Sequence, residues 1–275
     1  MNGGARLLER TTPEQWISEA TERWSPVAKV CLFSGGHDST VLAHRCRDHY
    51  DLLAWIDTGT AAPGVEKFVR EYAAWIEKPI WVLASGTAYR ELVLKIGFPG
   101  PGQHGRAYQR LKERRIEDIL RTMKLGHPRT ASVLFLSGVR RAESGRRAKR
   151  MPLAERRSAK FCSPLIEWTD EEMRDYRAEH ELPESDVAAL LHRSGECNCG
   201  SFAAPGEREM LASLWPEWFD ATIAGLEDEA EKAGQRYCRW GGFDSGGNRA
   251  GSERAEAGLL CTDCQLFSTQ EVDRG

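Results

Sequence analysis

Short unbroken apolar runs in this chain alternate with longer stretches in which apolar residues return every three or four positions. The runs Val27–Phe33, Leu52–Asp57, Ile80–Ala84 and Ser132–Ser137 read as strands buried on both faces, and Phe161–Ile166 as a fifth. The helical spacing predicts helices over Asp38–His49, Gly64–Ile76, Tyr89–Lys95 and Ala107–Met123. Another helix, Thr12–Trp24, precedes the first strand, with Thr12 as its cap and Pro13 in its first turn. Strand alternating with helix specifies an α/β fold: a doubly wound, mainly parallel five-stranded sheet with helices on both faces. Ligands of such sheets lie beyond the carboxyl ends of the strands.

Two stretches break the alternation. Gly97–Gly105 is too rich in Gly and Pro for regular structure and is expected to form a lid or substrate loop, with His104 as a possible substrate contact. After Pro183 the composition changes: residues 205–233 read as helical, with Trp215, Trp218 and Phe219 as core, and a Gly-rich stretch follows. The expected organisation is therefore an N-terminal helix (1–24), a nucleotide-binding α/β domain (25–190) and a helical, cysteine-bearing C-terminal module (191–275).

The first strand breaks into Ser34-Gly35-Gly36-His37-Asp38-Ser39-Thr40 and then a helix. Two glycines let backbone approach a ligand, and the amides of a new helix N-terminus, helped by hydroxyls, suit phosphate oxygens. Asp38 cannot donate to phosphate, so it caps the helix or holds the Mg²⁺ that accompanies a polyphosphate. The spacing is neither Gly-x-x-x-x-Gly-Lys-Ser/Thr nor Gly-x-Gly-x-x-Gly. Further on, Asp57-Thr58-Gly59 ends the second strand, Gly138-Val139-Arg140-Arg141-Ala142-Glu143-Ser144 follows the fourth, and Ser163-Pro164-Leu165-Ile166-Glu167-Trp168-Thr169-Asp170 leads into an acidic helix.

These four segments, in this order, resemble the PAPS reductase-like family of the adenine nucleotide α-hydrolase superfamily, whose pyrophosphate loop is the Ser-Gly-Gly-x-Asp-Ser turn. The resemblance covers roughly residues 25–190. It implies binding of an adenine nucleotide, with ATP and Mg²⁺ as cofactors and cleavage between the α- and β-phosphates. Ser34, Gly35, Gly36, Asp38, Ser39 and Thr40 would hold the phosphates, Asp57, Thr58, Gly59 and Gly138 would border the nucleotide, and Arg140, Arg141 or Arg147 would meet charge developing at the α-phosphate. The acceptor would be a nucleic acid or a sulfur carrier. The family also includes sulfonucleotide reductases, which act on PAPS or APS. This chain lacks their adjacent Cys-Cys pair and their Glu-Cys-Gly-Leu-His-type segment, so the resemblance favours ATP. A non-catalytic nucleotide-binding protein is the third reading.

Charge adds little overall, since 38 Lys and Arg against 41 Asp and Glu leave a net charge of −3. Its distribution adds more: Arg140–Lys160 holds nine basic and two acidic residues, and a second basic stretch runs from Arg106 to Arg121. Arg140 and Arg141, just beyond a strand's carboxyl end, suit an anion-binding rim for the nucleotide and for a nucleic-acid backbone, while the others read as solvated surface. No apolar run approaches the ~20 residues that span a bilayer, and the N-terminus has no apolar signal core, so a cytoplasmic protein without membrane partners is expected.

In that compartment eight cysteines point to metal or redox chemistry rather than disulfides. Cys197-Asn198-Cys199 and Cys261-Thr262-Asp263-Cys264 are two close pairs that can converge on one ion, with Cys238 as a further participant. Four thiolates suit a [4Fe–4S] cluster or tetrahedral Zn²⁺. Cys31 and Cys46 fall on a strand and a helix as core residues, while Cys162 lies beside the fifth strand.

Overall fold

The computed structural model describes residues 10–143 and 149–242. Arg147, Cys261 and Cys264 lie outside the described residues. Helix α1 (Pro13–Trp24) starts at a capping box in which Thr12 and Gln15 bond each other's backbone amides. It leads to β1 (Ala28–Leu32), α2 (His37–Arg45), β2 (Leu52–Asp57), α3 (Val65–Trp75), β3 (Ile80–Ala84) and α4 (Ala88–Ile96). Next come α5 (His104–Tyr108), a π-turn over Gln109–Glu113, α6 (Arg114–Met123), β4 (Val133–Leu136), β5 (Leu153–Arg156) and β6 (Ala159–Cys162). The chain continues with α7 (Asp170–Glu179), α8 (Asp186–Leu191), α9 (Glu207–Leu214), α10 (Pro216–Phe219) and α11 (Gly225–Lys232).

The six strands form one sheet in the order β3-β2-β1-β4-β6-β5, parallel except for β5 at one edge. It has one strand more than the five expected. Segment β5, Leu-Ala-Glu-Arg, carries no apolar run because it is an edge strand, mostly exposed and paired on one side only. Strand β6 starts and ends earlier than the apolar run Phe161–Ile166 suggests. Pro164 has no N–H for a ladder, so Ser163–Ile166 closes a turn, Ile166 N–H donating to the Ser163 carbonyl at 3.1 Å. The Gly/Pro stretch is also more regular than expected: Pro101–Gln103 forms a 3₁₀ turn with Pro in its first position, and helix begins at His104.

Alternate strand residues feed two cores. Cys31, Leu53, Trp55, Leu134 and Leu136 face the larger, with α2, α3 and α4, whereas Val30, Ala54, Ile56, Val133 and Phe135 face the smaller, under α6. Each large side chain buried this way contributes about 1.5–3 kcal/mol. Cys31, Cys46 and Cys162 are fully buried among them. The segment beyond α8 packs on the larger core as well, through Cys197, Cys199, Leu211, Phe219, Ile223 and Trp240. Phe219 is buried, while Trp215 and Trp218 only pack against that core part-exposed. Among the described residues no helix is long and apolar enough to cross a membrane.

Strands β1, β2 and β3 succeed one another outward in one direction, and the chain then returns to place β4 on the other side of β1. The carboxyl ends of β1 and β4 thus flank the crevice where such sheets bind ligands.

Candidate functional site

The loop after β1 occupies that crevice. Gly35 has φ +79°, where an L side chain is strained, and a Cβ on it would come within 3.2 Å of Val69. Gly36 is the N-cap of α2 and supplies no side-chain cap, so the first-turn amides of α2 have no acceptor in the helix or from its cap residue. The hydroxyls are turned inward. Ser34 Oγ donates to Ser39 Oγ (3.0 Å), Ser39 Oγ also bonds the Gly36 carbonyl (2.9 Å), and Thr40 Oγ1 donates to the His37 carbonyl (2.7 Å). They brace the loop, which leaves backbone amides as its means of meeting an anion. His37 points away, its Nε2 lying 2.6 Å from Glu184, and burial lowers its pKa.

Asp38 does not cap α2. Its Oδ2 accepts from Arg140 Nε at 2.8 Å, and Arg140 NH1 lies 2.9 Å from Asp170 Oδ1. Asp38 and Arg140 are both buried, each 4% exposed. The Arg140 amide donates to Glu143 Oε2 at 2.9 Å. Burial pushes the Asp38 carboxyl up to about 7, against the downward pull of the Arg140 guanidinium. Arg140 therefore ties the start of α2 to the loop after β4 and to the start of α7, and its charge is already met. Gly138 permits this closeness, because a Cβ there would lie 3.2 Å from the Asp38 backbone. Arg141 is more accessible: its NH1 is 3.1 Å from Glu167 and its Nε donates to the Arg150 carbonyl at 3.1 Å.

At the carboxyl end of β2, Asp57 Oδ1 accepts from the Gly59 amide at 2.8 Å and closes the turn. Thr58 is fully buried and faces inward, its hydroxyl donating to the Glu196 carbonyl at 2.9 Å. This bond draws the cysteine turn onto the sheet edge. Asn198, also fully buried, donates its amide to Thr60 Oγ1 (3.0 Å) and its Nδ2 to the Thr60 carbonyl (2.8 Å), while its Oδ1 accepts from Arg193 (2.6 Å). Its carbonyl accepts from Trp240 Nε1 at 2.7 Å, and the Cys199 carbonyl accepts from the Tyr89 hydroxyl at 3.1 Å. Cys197 and Cys199 thus sit on a braced turn next to the crevice, with Cys199 Sγ 3.3 Å from Ser201 Oγ.

The π-turn between α5 and α6 packs at the carboxyl end of β3 and against the cysteine turn. Ser85 Oγ, just after β3, donates to the Leu111 carbonyl at 2.7 Å, and the next residue, Lys112, places Nζ 2.7 Å from Glu196 Oε1. Burial raises the pKa of Glu196, and the Lys112 charge opposes that rise. Such π-turns are frequent at functional sites.

The structure thus gathers Ser34–Thr40, Gly138, Arg140 and Arg141 at one crevice and Asp57–Gly59 with Cys197 and Cys199 one strand away. The His104 ring lies 4.9 Å from that of Phe202, which follows the cysteine turn. Sequence reasoning missed Asp170, Glu196 and Lys112 as site residues. Asp170 and Glu196 directly adjoin the motifs Trp168-Thr169 and Cys197-Asn198-Cys199, a signal that could have found them; Lys112 falls in the basic stretch Arg106–Arg121, which reads as solvated surface.

Comparisons with solved structures place this architecture among adenine nucleotide α-hydrolase folds. A phosphoadenylyl-sulfate reductase from Candida auris, in a phosphate complex, aligns with TM-score 0.50 and 16% identity, covering 68% of this chain and 88% of that one. The U34-tRNA thiolase NcsA from Methanococcus maripaludis, with its [4Fe–4S] cluster, aligns at 13% identity and TM-score 0.41 over 81% of this chain and 78% of that one. An NH₃-dependent NAD synthetase from Campylobacter jejuni aligns at 13% identity and TM-score 0.45, covering 81% and 94%. No curated protein matches the sequence. The Ser34–Thr40 loop, the Arg140 bridge and the sheet order all fall within residues 28–194, the span matched by the phosphoadenosine phosphosulfate reductase domain model, and the chain belongs to that family.

Proposed function

We propose that this protein binds ATP at the Ser34–Thr40 loop and transfers its adenylyl group to an acceptor. An acceptor oxygen attacks the α-phosphorus, the bond to the bridging oxygen of the β-phosphate breaks, and pyrophosphate leaves. The adenylylated position is then open to sulfur, with AMP as leaving group, on a nucleic acid or a sulfur carrier. The observation that carries this reading is the N-terminus of α2, begun by Gly36 with no side-chain cap, behind a Gly35 turn at the sheet's switch point. Such transfer depends on positioning and charge neutralisation more than on covalent catalysis. With Arg140 held by Asp38 and Asp170, Arg141 is the better placed arginine for charge developing at the α-phosphate.

The donor chemistry here fits Mg²⁺. Asp38 and Asp170 meet the Arg140 guanidinium and Glu143 accepts from the Arg140 amide, which places three hard oxygen donors beside the Ser34–Thr40 loop. The ion, when bound, would neutralise the phosphate oxygens. Cys197 and Cys199 fit two ligands of an iron–sulfur cluster or zinc, being thiols on one braced turn. Among the described residues no group of three or more His, Cys, Asp or Glu is placed to hold a metal.

The family model favours a second reading, reduction of a sulfonucleotide. One comparison separates the two. Protein incubated with Mg-ATP and candidate acceptors should release pyrophosphate, and protein incubated with PAPS and reduced thioredoxin should release no sulfite. Sulfite without pyrophosphate would reverse the assignment, and ATP binding with neither product would leave a nucleotide-binding protein without this chemistry.

A further inference from the structure

Beyond the phosphate loop, the next carboxyl end along the sheet, that of β2, carries Asp57, and in doubly wound nucleotide folds an acidic residue here accepts from the ribose hydroxyls. Strand neighbours lie only about 4.8 Å apart, so a nucleotide whose phosphates sit on the β1 loop brings its ribose to this point. Two carboxylates lie near each other here, those of Asp57 and Glu196, because Thr58, next to Asp57, donates to the Glu196 carbonyl. Of the cations nearby, Lys112 faces Glu196, and Arg115, at the adjoining end of β3, is paired with Asp118. Lys112 is committed: its Nζ lies 2.7 Å from Glu196, whose side chain is only 6% exposed. Withdrawing Lys112 to serve a ligand phosphate would strand a buried carboxylate, which is costly. The π-turn pinned by Ser85 fixes Lys112 in that role.

From this juxtaposition we infer that the site discriminates against a phosphate on the ribose and takes adenine nucleotides with free ribose hydroxyls. The inference rests on the proposed nucleotide site and adds the residues that set its specificity. A ribose phosphate would bring about two negative charges to Asp57 and Glu196, with Lys112 and Arg115 each already paired with a carboxylate. Asp57 would also lose the hydroxyl it can accept from.

The test compares adenosine 5′-monophosphate with adenosine 3′,5′-bisphosphate by calorimetry on the full chain, with Mg-ATP as the reference ligand. The two probes differ only at the ribose. The monophosphate should bind about tenfold or more tightly, as like charges a few ångströms apart at a partly solvated site imply. Glu196→Gln, which releases Lys112, should bring the two affinities close together. Asp57→Asn, at a half-buried turn and so less disruptive to the fold, should narrow the gap as well. Equal or tighter bisphosphate binding by the unaltered protein overturns the inference, as does a gap unchanged in both folded variants. If none of the three nucleotides binds, the nucleotide site itself falls, a result distinct from loss of discrimination.

Discussion

At the scale of single residues, Gly36 and Asp38 test the proposed role of the Ser34–Thr40 loop. Gly36 has φ −88° and ψ 173°, a conformation open to any residue, so Gly36→Val should cost the fold only about 1 kcal/mol as a poorer cap. It should nonetheless abolish Mg-ATP binding, because branched carbon would stand where backbone must meet phosphate; unchanged affinity by calorimetry in a folded variant would refute the loop assignment. Asp38 gives a pH test. Its carboxyl, raised by burial to about 7, keeps its proton in the folded state over a range where the unfolded chain, titrating near 3.8, has lost it. Between those values Asp38 therefore makes stability fall as pH rises, by at most ~1.4 kcal/mol per pH unit. Urea titrations across that window should show a shallower decline in Asp38→Asn, and an opposite difference in slope would mean that the Arg140 attraction prevails over burial.

Between elements, the two neighbouring arginines separate structure from chemistry. Arg140→Ala removes the bridge joining α2, the loop after β4 and α7, and leaves Asp38 buried without its guanidinium, a loss of about 3–5 kcal/mol. Arg141→Ala, at a part-exposed position, should alter stability by less than about 1 kcal/mol yet lower kcat by about 10²–10³, as loss of one transition-state donor does. A normal kcat with raised KM would make Arg141 a ground-state anchor instead. The join between α4 and the C-terminal segment is equally specific. Gly97 has φ +80° and a Cβ on it would meet the Tyr237 carbonyl oxygen at 2.8 Å, so Gly97→Ala should cost about 1–3 kcal/mol in thermal or urea unfolding.

At the scale of the whole molecule, the cysteine turn joins the edge of the sheet to the C-terminal segment, since Asn198 bonds both Thr60 of the one and Trp240 of the other. A metal on Cys197 and Cys199, completed by Cys261 and Cys264, would stabilise this join. Its removal should increase hydrogen exchange beyond Cys197 while sparing the sheet. Anaerobically prepared protein should be brown, absorbing near ~400 nm, if it holds iron–sulfur, or colourless with about one zinc per chain. The absence of both metals, with all four thiols freely alkylated, would eliminate the site.

Local sequence determined much of this protein. Unbroken apolar runs suit burial between two helical layers, which made β1, β2 and β4 and the doubly wound class legible, with β3 a half-exposed edge strand of the same pattern, and Gly-Gly before Asp-Ser marked a turn that only backbone could line. Elements whose stability comes from neighbours were not legible: β5 exists because β6 offers it a ladder, and Ser163–Ile166 turns because Pro164 cannot extend one. The pairing of charges was decided in three dimensions. Asp38 and Arg140 lie 102 positions apart, and Lys112 and Glu196 likewise come from distant segments, so their contacts depend on which strand ends adjoin. The motifs named the groups that gather at the sheet edge, and only the tertiary structure decided that Arg140 and Lys112 are already neutralised while Arg141 remains partly open, because burial and distance set how much charge is left to offer a ligand.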